Sequence, residues 1–594
     1  MHITNLSIKN FRNFADFSID LNSFTLIIGE NNTGKTNLLE SLCLLFGQEI
    51  TMFRKRMLTM DDINYQSIKE FKEKVKNSEI DVESIIFPEV KIEAIMTDFN
   101  DDQASIVGDW FIDENLEKAK LTYIFSLRPG WQKKIEWLKE QRQKNDINLI
   151  DFPIDEYEYQ IFGGESQHRA DPYFLKMLKM ESLDALRDAR KELIAGGDYR
   201  LLYRILNNRD KKQYSDIQKS LLDLQNKVKI DPEFRKISSE IKTYLDKISL
   251  QENDIDNSVD FKFTSPELSE VLKKLSLIYG SNPISVERNG LGRNNLLYMS
   301  LVLSHLTGSN FGSDNTFFRL IGVEEPESHL HPHLQLHLSK NIKNSNGEDL
   351  QIIITSHSPY IASQLDLENT YILYKDNDQI KKHNLLTGIE PDSDTARYLE
   401  KFLNATNSTM FFAKKIILVE GISEQLLIPK LFEIYSGGKS LEKCGCNVVN
   451  VNGLAFKHFL EIIKNGYFIR CVVYTDNDGT TRGEDLKKAY ESENNVIRVI
   501  ISDKKTFEKD LIFVNKSGAT KDTLVSALCR TRPTNGPKLK KLIGADEIDV
   551  EAFFEEIKDY KSEFSLDLLT SIEESTNINI PEYIQKGFDH LLNP

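Results

Sequence analysis

The sequence predicts an α/β chain of two successive parts, the first interrupted by a helical insertion. Three observations carry this. A glycine-rich loop, Gly29 to Thr36, sits between an apolar run and a helix-patterned segment. Residues 200–250 switch to helical spacing. From Lys414 onward, short apolar runs end in acids and alternate with helix-like stretches, the pattern of βα units around a parallel sheet.

At 594 residues the chain exceeds what one hydrophobic core serves, so two to four domains are expected. A hydrophobic fraction of 40% with 28% charged residues places it among soluble globular proteins. A formal net charge of −16 excludes a surface coated with basic residues for indiscriminate nucleic-acid binding, but not a local basic groove. Lys504-Lys505, Arg530 to Arg532 and Lys538 to Lys541 are candidate basic segments, each more simply read as a solvated face. The five cysteines, Cys43, Cys444, Cys446, Cys471 and Cys529, are few and mostly in or beside apolar runs, which suits reduced thiols. Met1 to Leu6 lacks the basic and apolar regions of a signal peptide, and no apolar stretch is long enough to span a membrane. The expectation is a cytoplasmic protein without a membrane partner.

Taken in order, Ile3–Ile8, Phe17–Leu21 and Phe24–Ile28 have strand character, and Asn37–Phe46 reads as a helix with an apolar face. Val90, Ile92, Ala94 and Met96 alternate on one side of a further strand. Residues 110–180 mix aromatic strand-like pieces with the charged helical stretch Lys133–Lys144. Ile217, Leu221, Leu224 and Val228 are spaced four, three, four, and Ile237, Ile241, Tyr244 and Ile248 repeat the spacing after Asp231-Pro232. This predicts a helical hairpin, equally well read as a dimerisation arm or as an antiparallel pair within one subunit. Strand character returns at Phe317–Val323, Leu350–Ile354 and Thr370–Tyr374, with a turn at Asp376-Asn377-Asp378. A polar segment near 375–395 and a helix at Ala396–Leu403 mark the domain boundary.

Gly29-Glu30-Asn31-Asn32-Thr33-Gly34-Lys35-Thr36 fits the phosphate loop G-x-x-x-x-G-K-T. Its glycines let backbone N–H groups surround phosphates, Lys35 reaches the β and γ oxygens, and Thr36 offers a hydroxyl to Mg²⁺. Asn32 and Asn37 are counted with this nucleotide set. The strand before and the helix after add the favourable field of a helix N-terminus. A phosphate loop needs a second, acidic strand end, and Leu320-Ile321-Gly322-Val323-Glu324-Glu325 supplies one. Glu324 is assigned to the Mg²⁺ shell and Glu325 to polarising the attacking water, with Glu where Asp is usual. Gly290 and Gly292, in a loop before a helix at Leu296–Leu306, are candidates to grip the γ-phosphate of a neighbouring subunit's ATP. His357, after the apolar run Ile352–Thr355, is a candidate γ-phosphate contact.

The last third holds two acid clusters. Glu420 follows Leu418-Val419, with Glu424 one helical turn later on the same face. Asp476 and Asp478 follow Val472–Thr475. Clustered carboxylates at strand ends suit Mg²⁺, which prefers oxygen ligands, with Mn²⁺ as the alternative ion. Thr506–Leu511 adds Glu508 and Asp510.

Residues 1–375 resemble an ABC-type ATPase head of the RecF/SMC kind. Glu324-Glu325-Pro326-Glu327-Ser328-His329-Leu330-His331-Pro332 resembles a motif of OLD (overcoming lysogenisation defect) family nucleases, and Leu183–Asp188 matches another stretch of that family. Residues 414–594 resemble the Toprim domain that follows the ATPase there, with Val449–Gly453 as its strand–Gly element. The resemblance implies an ATPase head over 1–199 and 256–395, a helical arm over 200–255 and a Toprim domain over 396–594. It implies that Lys561, in Lys561–Phe564 ahead of Ile580–Ile584, is the active-site lysine, and that either Glu508 or Asp510 belongs to the metal site. The activity implied is an ATP-regulated, metal-dependent endonuclease acting on double-stranded DNA in antiphage defence. Nucleases of Gabija systems are similar in layout. A dimer or tetramer built through the ATPase side, and a helicase partner, are implied with it. The alternative is an ATP-dependent DNA clamp of RecF/SMC type that does not cut.

Overall fold

The computed structural model describes residues 1–47, 56–165, 168–183, 193–194, 196, 200–207, 211–248, 258–259, 261, 268–279, 284–307, 317–328, 330–343, 350–364, 366–403, 407–453, 455–464, 466–491, 496–533, 544–575 and 577–592. The matched stretch after Leu183, His329 and the basic run Lys538–Lys541 lie outside the described residues. The chain divides into two compact units, Met1–Phe24 with Thr36–Ile354, and Thr25–Lys35 with Thr355–Pro594. The polar segment 375–395 therefore lies inside the second unit.

The first unit opens with β1 (His2–Phe11) and β2 (Phe14–Asp20); β3 (Phe24–Gly29) belongs almost wholly to the second. With β4 (Val90–Thr97), β5 (Ala119–Leu127), β6 (Tyr157–Gly163) and β7 (His168–Arg169) the first two form an antiparallel sheet, order β2-β1-β4-β5-β6-β7. On β4 the alternation is complete, with Val90, Ile92, Ala94 and Met96 fully buried. The aromatic pieces of 110–180 are β5 and β6. Tyr123 and Tyr157 are buried with their hydroxyls donating to the carbonyls of Arg56 and Pro88. A buried tyrosine needs such an acceptor, and sequence spacing does not reveal it.

A parallel pair follows, β8 (Leu178–Leu183) with β11 (Phe318–Glu324), and β12 (Leu350–Ser356) flanks β11. Between β8 and β11 come the short antiparallel pair β9 (Ile278–Tyr279) and β10 (Ile284–Ser285) and a helical hairpin, Ser215–Ile230 and Pro232–Ile248. Asp231 accepts from the Glu233 amide at 3.0 Å and Pro232 opens the second helix, so the turn sets both ends of the break. Along the apolar stripe, Ile217, Leu224, Ile237 and Ile241 are 40–48% exposed.

In the second unit, β3 pairs in parallel with β13 (Thr370–Asp376), which turns through Asn377 and Asp378, both at positive φ, into antiparallel β14 (Gln379–Asn384). Four parallel strands then form a sheet of order β16-β15-β17-β18: β15 (Lys415–Val419), β16 (Cys446–Asn450), β17 (Arg470–Thr475) and β18 (Ile497–Ile501). β15 and β17 are buried almost end to end, as strands covered on both faces must be. The span 509–561, which carries no readable pattern in sequence, contains helices Ala519–Thr531 and Val550–Ile557 packed into this core. All five cysteines are free thiols, and no described helix is long and apolar enough to cross a membrane.

Helix Glu582–Leu592 closes on the inner strand. The Tyr474 hydroxyl donates to the Ile584 carbonyl at 2.8 Å, and a Cβ at Gly587 would stand 2.1 Å from that hydroxyl. Gly587→Ala is expected to lower stability by about 1–3 kcal/mol, since Tyr474 is fully enclosed and has no room to retreat. A thermal or urea melt checks it; an unchanged midpoint would show that the helix shifts freely.

Candidate functional site: a phosphate loop and a carboxylate centre

The phosphate loop is shaped by backbone geometry. Gly29 has φ +155°, and a Cβ there would lie 2.3 Å from the Leu373 carbonyl, so β13 passes too close for any side chain. Asn32 and Gly34 also have positive φ, turning successive amides around one concavity. The buried Lys35 ammonium donates to the carbonyls of Gly29 at 3.0 Å and Glu30 at 2.7 Å, and the Thr33 hydroxyl donates to Glu30 at 2.9 Å.

In the first unit, Thr36 lies in the first turn of helix Lys35–Phe46 and its hydroxyl donates to Glu324, at the end of β11. A hydroxyl and a carboxylate thus meet where sequence assigns both to one ion. Glu325 has φ +42°, a conformation costly for a residue with a side chain. Asn37 is engaged elsewhere: its amide donates to Asn13 and its carbonyl accepts from Arg12, both at 2.8 Å. The helix expected at Leu296 begins at Leu291, placing Gly292 in its first turn and only Gly290 before it. The Asn294 amide, donating to the Val286 carbonyl at 2.9 Å, anchors that early start. His357 directly follows the end of β12.

The acids of the second unit gather where strand order reverses. β16 lies on one side of β15, and β17 and β18 on the other. The carboxyl ends of two strands at such a switch point frame a crevice, the usual ligand position in parallel sheets. Glu420 follows β15 and Asp476 follows β17. Glu420 Oε1 accepts from the Thr475 hydroxyl at 2.5 Å, the Asp476 amide at 3.0 Å and Arg482 Nη2 at 2.9 Å. Asp476 Oδ1 accepts from the Phe507 amide at 2.9 Å, tying the strand end to helix Phe507–Val514. Glu424 is buried in the first turn of helix Ile422–Tyr435.

The pair Glu508 and Asp510 divides. Glu508 is buried and 2.9 Å from Lys561 Nζ, at the start of helix Lys561–Ser575. Asp510 turns away and accepts from the Lys504 amide at 3.1 and 3.0 Å. Asp478 stands at the exposed rim, 3.4 Å from Arg482 Nη1. The structure therefore brings together Glu420, Glu424, Asp476, Glu508 and Lys561, leaves Asp478 at the edge and sends Asp510 elsewhere. Arg482, absent from the sequence reading, joins the group; its place four residues after Asp478 was the available signal.

Burial pushes the Glu424 carboxyl up to about 7, helped by the charges of Glu508 and Glu420. Burial likewise raises Asp476 to about 8, with Glu424, Glu420 and Glu508 adding to it. Among the described residues no group of three or more His, Cys, Asp or Glu side chains is placed to hold a metal ion as it stands. Several of the acids are instead held by protein donors. The donor chemistry still fits a hard divalent cation, being all oxygen, like-charged and crowded enough to hold protons.

Fold and site together define a P-loop ATPase head followed by an α/β domain with an acidic crevice. The chain belongs to the AAA ATPase domain family, whose profile matches residues 1–362, and the Overcoming lysogenization defect protein-like TOPRIM domain profile matches residues 411–478. It is 24% identical to Endonuclease GajA of Bacillus cereus (strain HuB5-5), over 82% of this chain and 78% of that protein. It is 23% identical to the Old nuclease of Escherichia phage P2, over 80% of this chain and 77% of the other. The C-terminal region of the Xanthomonas campestris pv. campestris OLD protein, 19% identical, aligns over 31% of this chain and 93% of its own, with a TM-score of 0.25.

The crowding has a sign that can be measured. Asp476 ordinarily titrates at 3.8 and is raised to about 8 in the fold, so the folded chain holds the proton more tightly than the unfolded one. Its destabilising effect is absent below pH 4, grows as pH rises and is complete above about 8. Asp476→Asn, which keeps an acceptor for the Phe507 amide, is expected to melt higher than wild type without divalent ions, by a margin widening from pH 5 to 8. A margin constant across that range would contradict the electrostatic account.

Proposed function

We propose that this chain is an ATP-binding, divalent-metal-dependent DNA endonuclease whose phosphodiester hydrolysis is under nucleotide control. The observation that carries the reading is the meeting of Glu420, Glu424, Asp476 and Glu508 with Lys561 at the β15–β17 switch point. The match to the OLD-like TOPRIM profile supports it, and the similarity to proteins named as nucleases gives the reaction class.

Mg²⁺ or Mn²⁺, when bound, supplies Lewis acidity and a water activated near neutral pH. Glu420 and Asp476, fixed by hydrogen bonds at adjacent strand ends, hold the centre in place, and Glu424 and Glu508 complete its acidic wall. Asp478 at the rim faces the substrate side. Lys561 keeps a positive charge beside Glu508, where it stabilises negative charge growing on the phosphoryl oxygens or the leaving 3′ oxygen. In the head, the Gly29–Lys35 amides and Lys35 bind the ATP phosphates, Thr36 and Glu324 serve its Mg²⁺, and Glu325 orients the attacking water. Gly290 and His357 are assigned to the γ-phosphate. The exposed stripe of Ile217, Leu224, Ile237 and Ile241 supports a homo-oligomer, because apolar positions at helical spacing seek a partner surface. Double-stranded DNA is the proposed substrate and antiphage defence the proposed role.

Plasmid DNA incubated with Mg²⁺ or Mn²⁺, with and without ATP, tests the reading. Wild type is expected to cut; Asp476→Ala is expected to lose cutting while still binding ATP. Equal cutting by both would remove the assignment, and wild type that binds DNA in an ATP-dependent way without cutting would favour the clamp. Lys35→Ala is expected to lose ATP binding, measured by nucleotide titration. Unchanged affinity would remove the phosphate-loop assignment.

A further inference from the structure

Arg482 is placed against the interests of its own helix. It is the first residue of helix Arg482–Tyr490, where the positive end of the helix field disfavours a cation; Glu484 and Asp485 in the same turn are the residues that field prefers. Its guanidinium instead reaches across the crevice. Nη2 lies 2.9 Å from Glu420 Oε1 and 3.4 Å from the Thr475 hydroxyl, and Nη1 lies 3.4 Å from Asp478 Oδ2. These contacts tie one acid from each cluster to a single cation. Nε, by contrast, is buried and without a hydrogen-bond partner among the described residues. A buried donor left unmade is unfavourable, so the contacts to Glu420, Thr475 and Asp478 outweigh that cost. Two of those three acceptors are carboxylates from different acid clusters, so charge dominates the placement.

Arg482 also lines an open pocket of about 460 Å³ together with Lys457, Thr480 and Thr481.

We propose that Arg482 is the built-in counter-cation of the acidic centre, a positioning residue that holds Glu420 and Asp478 together without an ion and opposes the ion's entry by its charge. This rests on reading the centre as a divalent-metal site. A fixed positive charge within a few ångströms of an incoming dication weakens its binding, and removing it strengthens binding. The charge-neutral Arg482→Gln is therefore expected to bind Mn²⁺ on the order of tenfold more tightly than wild type, while Arg482→Lys, which keeps the charge, stays near wild type.

Calorimetric titration of the full chain with MnCl₂, without DNA or ATP, measures this, and thermal melts accompany it. Without metal, Arg482→Gln is expected to melt below wild type, since its carboxylates lose their counterion. Mn²⁺ is expected to raise its melting temperature more than it raises that of wild type. A role confined to packing would leave the loss unrepaired by the ion. If wild type binds Mn²⁺ and Arg482→Gln binds it equally or more weakly, the counter-cation inference fails and the metal site stands. Binding by neither protein overturns both.

Discussion

The parallel pairing of Lys415–Val419 with Arg470–Thr475 is the constraint on which the acidic centre depends. It runs in register from Lys415 opposite Arg470 to Leu418 opposite Val473, which sets Glu420 level with Thr475, one residue before Asp476. Glu420 and Asp476 are the next residues out, and the Asp476 amide donating to Glu420 closes the gap between them. Both strands are buried on both faces, and a slip in register would expose apolar side chains as well as separate the acids. The stability of the core and the integrity of the centre are thus maintained by one set of hydrogen bonds.

Around that constraint the fold concentrates charge rather than dispersing it. Glu424 and Glu508 are buried carboxylates from two different helices, each at a helix start where the helix field partly compensates a negative charge. Lys561 and Arg482 supply positive charge at two points on the border. The arrangement is poor for stability and suited to holding something doubly positive, the usual compromise of a site kept for chemistry.

Much of this was legible in the sequence because buried parallel strands read as short apolar runs that stop abruptly. Leu418-Val419-Glu420 and Tyr474-Thr475-Asp476 announce both the strand and its end. The glycine spacing of Gly29 and Gly34 announced the phosphate loop, and Asp231-Pro232 the break in the hairpin. What could not be read depends on direction within a helical turn or on contacts distant in sequence. Glu508 and Asp510 are two apart at the start of one helix, and only the fold shows one turned to Lys561 and the other to the Lys504 amide. The helix start at Leu291 was hidden by Gly292, whose weak helix preference matters little at a terminus. Arg482 carried no signal of its role beside Glu420, which lies far back in the chain.

The C-terminal helix bears on how the centre is held. Its backbone at Gly587 presses on Tyr474, the residue just inside the strand end that carries Asp476, and its Leu591 carbonyl receives the Lys415 ammonium at the foot of the neighbouring strand. The support of both acid-bearing strands is therefore shared with a segment far along the sequence, and loosening that segment would reach the centre without touching any of its acids.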